Sequence, residues 1–213
     1  MKKIKFDKLF ILGLFVLGSV FANQYVNFIR WHDPLEILWF CDMTAIILGI
    51  GLILRNKVMV TLAFTMAIPA QFPWILDFFL EVFGIGAGRT ANLFTFGPVV
   101  FWLSINLHTI VIPISFYGVW KLGFGRKALM PILIYGFVLL VTTFLVTKPT
   151  ENRNCVFYAC DALDPGDGYL EHFIVRNLLF WEVMFASSFL FFRKLFEKVG
   201  NKKELNFENK TNE

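Results

Sequence analysis

Six long apolar runs leave this chain few environments other than lipid. They span Leu9–Ile29, Leu35–Leu54, Val58–Phe83, Leu93–Trp120, Ala128–Thr147 and Phe173–Phe192. Each is near the ~20 residues a helix needs to cross the hydrocarbon core of a bilayer. Backbone amides in that core must bond within their own segment, so helices are the expected form. A soluble domain is about 45–50% apolar and about 25% charged. Here 57% of the 213 residues are hydrophobic and 17% are charged. The expected fold is all-α, a polytopic bundle of six transmembrane helices forming one domain over residues 1–198. Residues 199–213 read as a polar, disordered tail.

Orientation follows from the basic residues, which favour the cytoplasmic side. With the N-terminus inside, fifteen of the twenty Lys and Arg fall on inner segments, among them Lys8, Arg55, Lys57, Lys121, Arg126 and Lys127. Outer loops hold Arg30, Arg89, Lys148 and Arg153, together with acids such as Asp33, Glu36, Glu151 and Asp161. Both termini are therefore expected in the cytoplasm, and the protein in the cell membrane as a multi-pass chain. The basic residues form no nucleic-acid patch. The N-terminal lysines, apolar stretch and Val20-Phe21-Ala22 also have the outline of a signal peptide. Cleavage there would leave five helices in the same orientation.

Three cysteines make no disulfide scaffold. No CxxC pair, His-rich tract or zinc spacing is present, so no metal or cofactor is expected. Cys155 and Cys160 lie in the outer loop from Lys148 to His172, which is rich in turn formers. They either pair in an oxidising compartment or remain two free thiols.

A charge at a helix centre in hydrocarbon costs at least ~2.5–3.5 kcal/mol. Asp42, Asp77 and Glu182 therefore need partners, water or a task, as do Gln71 and His108. Arg176 lies near the outer end of the sixth helix. The expectation is a polar pocket open to the outside, with His108, Gln71, Trp74 and Asp77 lining it and Asp42, Glu182 and Arg176 close by. Asp42, Ala45 and Gly49 share a stripe whose small residues admit a neighbouring helix. Pro69, Pro73, Pro98 and Pro113 loosen the third and fourth helices. His108 is the best candidate for proton transfer near pH 7. Thr44 and Cys41, three apart on the second helix, are the candidate nucleophiles. Thr44 sits about 200° around the helix from Asp42, and its alternative role is a hydroxyl bonded to its own backbone.

Particular residues carry a family likeness. Trp39-Phe40-Cys41-Asp42, Gln71–Trp74–Asp77, His108 with Pro113, Leu122-Gly123 through Arg126-Lys127-Ala128-Leu129, and Asn152 with Asn154 resemble a group of uncharacterised bacterial six-helix membrane proteins. The likeness covers roughly residues 35–157 and implies no activity. In topology the chain also resembles the androgen-induced, androgen-dependent TFPI-regulating family of threonine hydrolases, which cleave lipid esters with a Thr in helix two and a His in helix four. Thr44 and His108 occupy those helices here. YwaF-like bacterial proteins are similar in having an intramembrane His. The leading expectation is a pocket that binds or processes a lipid or amphiphile, by ester hydrolysis or acyl transfer. The alternatives are a small transporter or channel using Asp42, Asp77 and Glu182, or a structural partner with no ligand.

Overall fold

A computed structural model describes residues 6–88, 90–159 and 166–211, with side chains described as far as Lys198. The described residues are helical and contain no strand. Helix α1 is Lys8–Trp31, α2 Phe40–Ile53, α3 Lys57–Val82, α4 Pro98–Leu122 and α5 Leu129–Val146. Helix α6 starts at Tyr169–Glu171, continues through the π-helical His172–Leu178 and ends with Leu179–Thr211. Short 3-10 turns, Pro34–Leu38, Ala91–Thr95 and Arg153–Cys155, lie between them. Five helices are long and apolar enough to cross a membrane, and α2 is a shorter apolar one.

Two expectations need correction. The run Leu35–Leu54 is not one helix. It breaks at Trp39, whose backbone is extended at φ −63° and ψ 141°. The side-chain amide of Asn154 fills the gap: its Oδ1 accepts from the Phe40 amide at 3.0 Å, and its Nδ2 donates to the Leu38 carbonyl at 2.7 Å. These bonds stand in for the helical ladder across the break. The remaining 14 residues of α2 reach about 21 Å, short of a ~30 Å hydrocarbon core. The backbone of α6 is also helical through Thr211, across the segment expected to be disordered. Its Lys, Glu and Leu residues favour helix, and it contains no proline.

The other boundaries follow local chemistry. Asp7 caps α1 by accepting from the amides of Leu9 and Phe10, and Asn56 caps α3 through Val58 and Met59. Pro98 opens α4, where its missing N–H costs nothing. Gly123 ends α4 at φ 84°, a conformation that favours glycine.

Helix α3 is the hub. Half of its apolar span is buried, against 22–33% for the other long helices. One core joins α1–α4 through Val16, Leu48, Phe64, Leu107 and Val111. The other joins α2, α3, α5 and α6 through Phe40, Met66, Ile132, Leu140 and Phe185. The small-residue stripe of α2 packs on α1 as expected: a Cβ added to Gly13 would lie 2.7 Å from the Gly49 carbonyl oxygen. Pro69 frees the Thr65 carbonyl from the α3 ladder, and Ser188 of α6 donates to that oxygen at 2.8 Å.

Candidate functional site

Polar side chains in hydrocarbon find partners on other helices, and here they form a seam across α1–α4. Asn106 of α4 donates to Ser19 Oγ at 3.0 Å. One turn along α1, Asn23 donates to Asp42 Oδ1 at 3.5 Å. The Cys41 thiol lies 3.4 Å from Asp42 Oδ2, and Gln71 Nε2 of α3 donates to the Cys41 carbonyl at 3.5 Å. Asp42 is 3% exposed, and the long Asn23 bond ties it to α1. Ser19 and Asn23 were missed by sequence reasoning. Their i, i+4 spacing in an otherwise apolar run is the signal that marks them.

His108 sits apart from this seam. Its ring stacks on Trp74 of α3, centroids 3.8 Å apart and planes 15° apart. Its Nδ1 lies 2.8 Å from the Ser104 carbonyl. A carbonyl only accepts, so in the neutral ring Nδ1 carries the hydrogen and Nε2 presents its lone pair. No hydrogen bond joins His108 to Gln71, Asp77, Asp42, Glu182, Thr44 or Cys41 among the described residues. From Trp74 an aromatic series continues outward: Phe78 at 5.9 Å, then Phe94 at 5.7 Å, then Phe101 at 5.8 Å. Trp74 and Phe101 are half-buried and Phe94 is exposed, so the series borders the molecular surface.

Asp77, expected beside His108, faces the glycine-rich loop instead. It accepts from the Ala87 amide at 2.6 Å, the Thr90 amide at 2.9 Å and the Thr90 hydroxyl at 3.0 Å. Glu81, one turn on, accepts from the Gly88 amide at 2.6 Å. Backbone amides in a tight loop give a carboxylate the concentrated donors it needs. Glu182 lies on the α5–α6 seam, where a Cβ on Gly136 would come within 3.0 Å of its Oε1, and that oxygen has no hydrogen-bond partner. Arg176 is exposed on the π-helical segment and does not join the pocket residues. Thr44 is fully buried and its Oγ1 has no partner, so the expected bond to its own backbone is absent. Cys41 is a free, half-buried thiol. Cys155 is disulfide-bonded, while Cys160 lies outside the described residues.

A clasp between the 148–159 loop and the α1–α2 link was not recognised as a unit from the sequence. Arg153 is 1% exposed and pairs with Asp33, Glu36 and Glu151. Burial alone would lower its pKa, but the Glu36, Asp33 and Glu151 carboxylates reverse this and hold it above its ordinary value. Asn152, Asn154 and Cys155 beside it have φ of 37°, 51° and 56°. Asn177 of α6 donates to the carbonyls of Asn154 and Cys155, both at 2.9 Å. The clasp thus ties the 148–159 loop to the α1–α2 link and to α6. The signal available was Glu-Asn-Arg-Asn-Cys at 151–155 facing a chain with acids at 33 and 36.

The chain matches no family model, no curated protein and no solved structure. The seam of α1–α4 fixes helices together. The Trp74–His108 stack instead offers, on an aromatic wall, an acceptor with no hydrogen-bond partner among the described residues.

Proposed function

We propose that this protein is a multi-pass protein of the cell membrane that binds an amphiphile laterally, against the outer half of α3 and α4. In this reading the chain crosses the bilayer six times, with the Pro34–Leu38 turn and α2 together making the second crossing and both termini in the cytoplasm. The observation that carries the reading is the Ser104-fixed tautomer of His108, which leaves Nε2 as a lone-pair acceptor on the face of Trp74. A hydroxyl, amide or acid proton of a headgroup suits Nε2, and an apolar tail suits Trp74, Phe78, Phe94 and Phe101. Binding is favoured over ester hydrolysis because the Thr44 hydroxyl is fully buried and makes no bond to His108.

The test is photo-crosslinking with a lipid analogue that carries its reactive group near the headgroup. The expected adducts map to α3–α4 peptides containing Trp74 or His108 and fall at least fivefold in Trp74→Ala. Equal labelling of exposed α5 residues such as Ile134 and Phe137 would overturn the reading. Reporter fusions after Lys57 and Lys127 should report cytoplasm, and one after Gly168 the outside. One observation favours a second reading, proton-coupled transport: the unpartnered Glu182 Oε1 within the α5–α6 seam. Proton uptake in liposomes that is lost in Glu182→Gln would select it.

A further inference from the structure

At the other end of α4 lies a second lipid-directed feature, independent of His108. Phe116, Tyr117, Trp120 and Lys121 line a shallow recess of about 290 Å³ along one face of the helix. Phe116 is 44% exposed and Trp120 48%. Phe116 is rooted in the core, with its ring 6.1 Å from Phe64 of α3 and 6.0 Å from Phe196 of α6. The Lys121 ammonium lies 5.7 Å from the Tyr117 ring centroid, within reach of a cation–π contact. No carboxylate pairs with Lys121 among the described residues. Three arginines at this end have acidic partners: Arg55 pairs with Asp7, and Arg126 and Arg193 share Glu197.

We propose that this recess holds one anionic phospholipid, its phosphate on Lys121 and the head of an acyl chain against Phe116 and Trp120. Charge complementarity argues for the occupant. The recess sits at the basic end of the bundle: the Gly125 amide, just past α4, donates to Thr61 on the first turns of α3, close to Lys57. Cytoplasmic leaflets carry the anionic lipids, and a juxtamembrane lysine is worth about 1 kcal/mol towards them. An aromatic residue beside it suits the headgroup boundary, where Trp and Tyr concentrate. A protein partner would need a larger complementary face than four side chains of one helix supply. A free phosphate would leave the aromatic walls without a role.

The experiment is native mass spectrometry of the full-length protein from mixed micelles holding equal phosphatidylglycerol and phosphatidylcholine. The wild type should retain phosphatidylglycerol preferentially. Lys121→Gln should reduce that preference about fivefold, which corresponds to about 1 kcal/mol. Trp120→Phe should keep the preference, and Lys127→Gln should leave it unchanged. An unaltered preference in Lys121→Gln overturns the site. So does an equal loss in Lys127→Gln, which would mean diffuse basic charge, or displacement of the lipid by millimolar inorganic phosphate.

Discussion

Replacing Arg153 with methionine should unfasten the end of the bundle that carries the 148–159 loop. Removing one partner of a fully buried ion pair costs roughly 3–5 kcal/mol, because the other charge is left unpaired. Here the three acids are themselves 23–28% exposed. Water rehydrates them once the guanidinium leaves, so about 2–3 kcal/mol is expected instead. The charges make the effect asymmetric. Arg153 with three acids sums to −2, and losing the arginine leaves −3 in one place. Asp33→Asn leaves the arginine with two acceptors and relieves repulsion, so it should cost less than ~1 kcal/mol. Arg153→Lys should behave nearly as badly as the methionine, because a single ammonium cannot bridge what Nη1 and Nη2 reach on different sides. The assay is unfolding in mixed micelles of rising SDS fraction, followed by tryptophan fluorescence. Equal losses for Arg153→Met and Asp33→Asn, or full rescue by lysine, would refute the reasoning. A secondary sign comes from the backbone. Asn152, Asn154 and Cys155 hold left-handed φ values that cost about 1 kcal/mol or more each unless the surroundings enforce them. Proteolysis of the 148–159 loop should therefore accelerate in Arg153→Met before the helices unfold.

Other perturbations have separate readouts. Ser188→Ala should cost about 1 kcal/mol in the same unfolding assay, and Pro69→Ala should offset that loss by restoring the helical donor to the Thr65 carbonyl, so the two changes must couple in a double-mutant cycle. Gly13→Ala should destabilise by about 1–3 kcal/mol, since its Cβ would lie 2.7 Å from a backbone oxygen that cannot swing away; a neutral Gly13→Ala would show that α1 and α2 are not in close contact. Burial alone would raise the Asp7 carboxyl, but the Arg55 guanidinium and the amides of Phe10 and Leu9 outweigh it and hold its pKa below the usual value. A depressed carboxylate stabilises the fold above its unfolded pKa and loses that contribution as pH falls through the folded one, so Arg55→Gln should lower stability by a constant amount across pH 6–8 and flatten its fall below about pH 4.

Hydropathy was enough to locate α1, α3, α4, α5 and α6, because a bilayer imposes the same length and apolarity on each. It could not show the break at Trp39. The amide that bridges the break belongs to Asn154, 114 residues away from Phe40. Helical spacing put Trp74 among the candidate pocket residues, and the ring of His108 stacks on it. The same spacing misassigned Asp77, because its partners are backbone amides of a glycine-rich loop and carry no side-chain signature. Arg153 illustrates a different blindness. Counting outer-loop charges treats a lysine in water and an arginine buried among three acids alike. Its role emerges when Asp33, Glu36 and Glu151 are brought to one point by the fold.

Pro69 in α3 and Pro113 in α4 have unequal consequences, and the difference bears on how the proposed amphiphile would enter. Pro69 frees the Thr65 carbonyl, and Ser188 fastens that oxygen to α6. Pro113 likewise frees the Thr109 carbonyl, one residue from His108, yet the Thr109 hydroxyl bonds back to Ile105 and Asn106 of its own helix. No side chain of another helix donates to the Thr109 carbonyl among the described residues. Helix α3 is thus fixed to its neighbour at Pro69, whereas α4 at Pro113 is held by packing. Around His108 the tie between α3 and α4 is the ring stack on Trp74, which gives up no hydrogen bond when it slides. A hydrocarbon chain can replace such a contact at little cost, because lipid and aromatic carbon solvate one another about equally. Upstream of Pro113, α4 keeps its Asn106–Ser19 bond to α1, so the α3–α4 contact at the ring stack is the one that can part there without breaking a hydrogen bond.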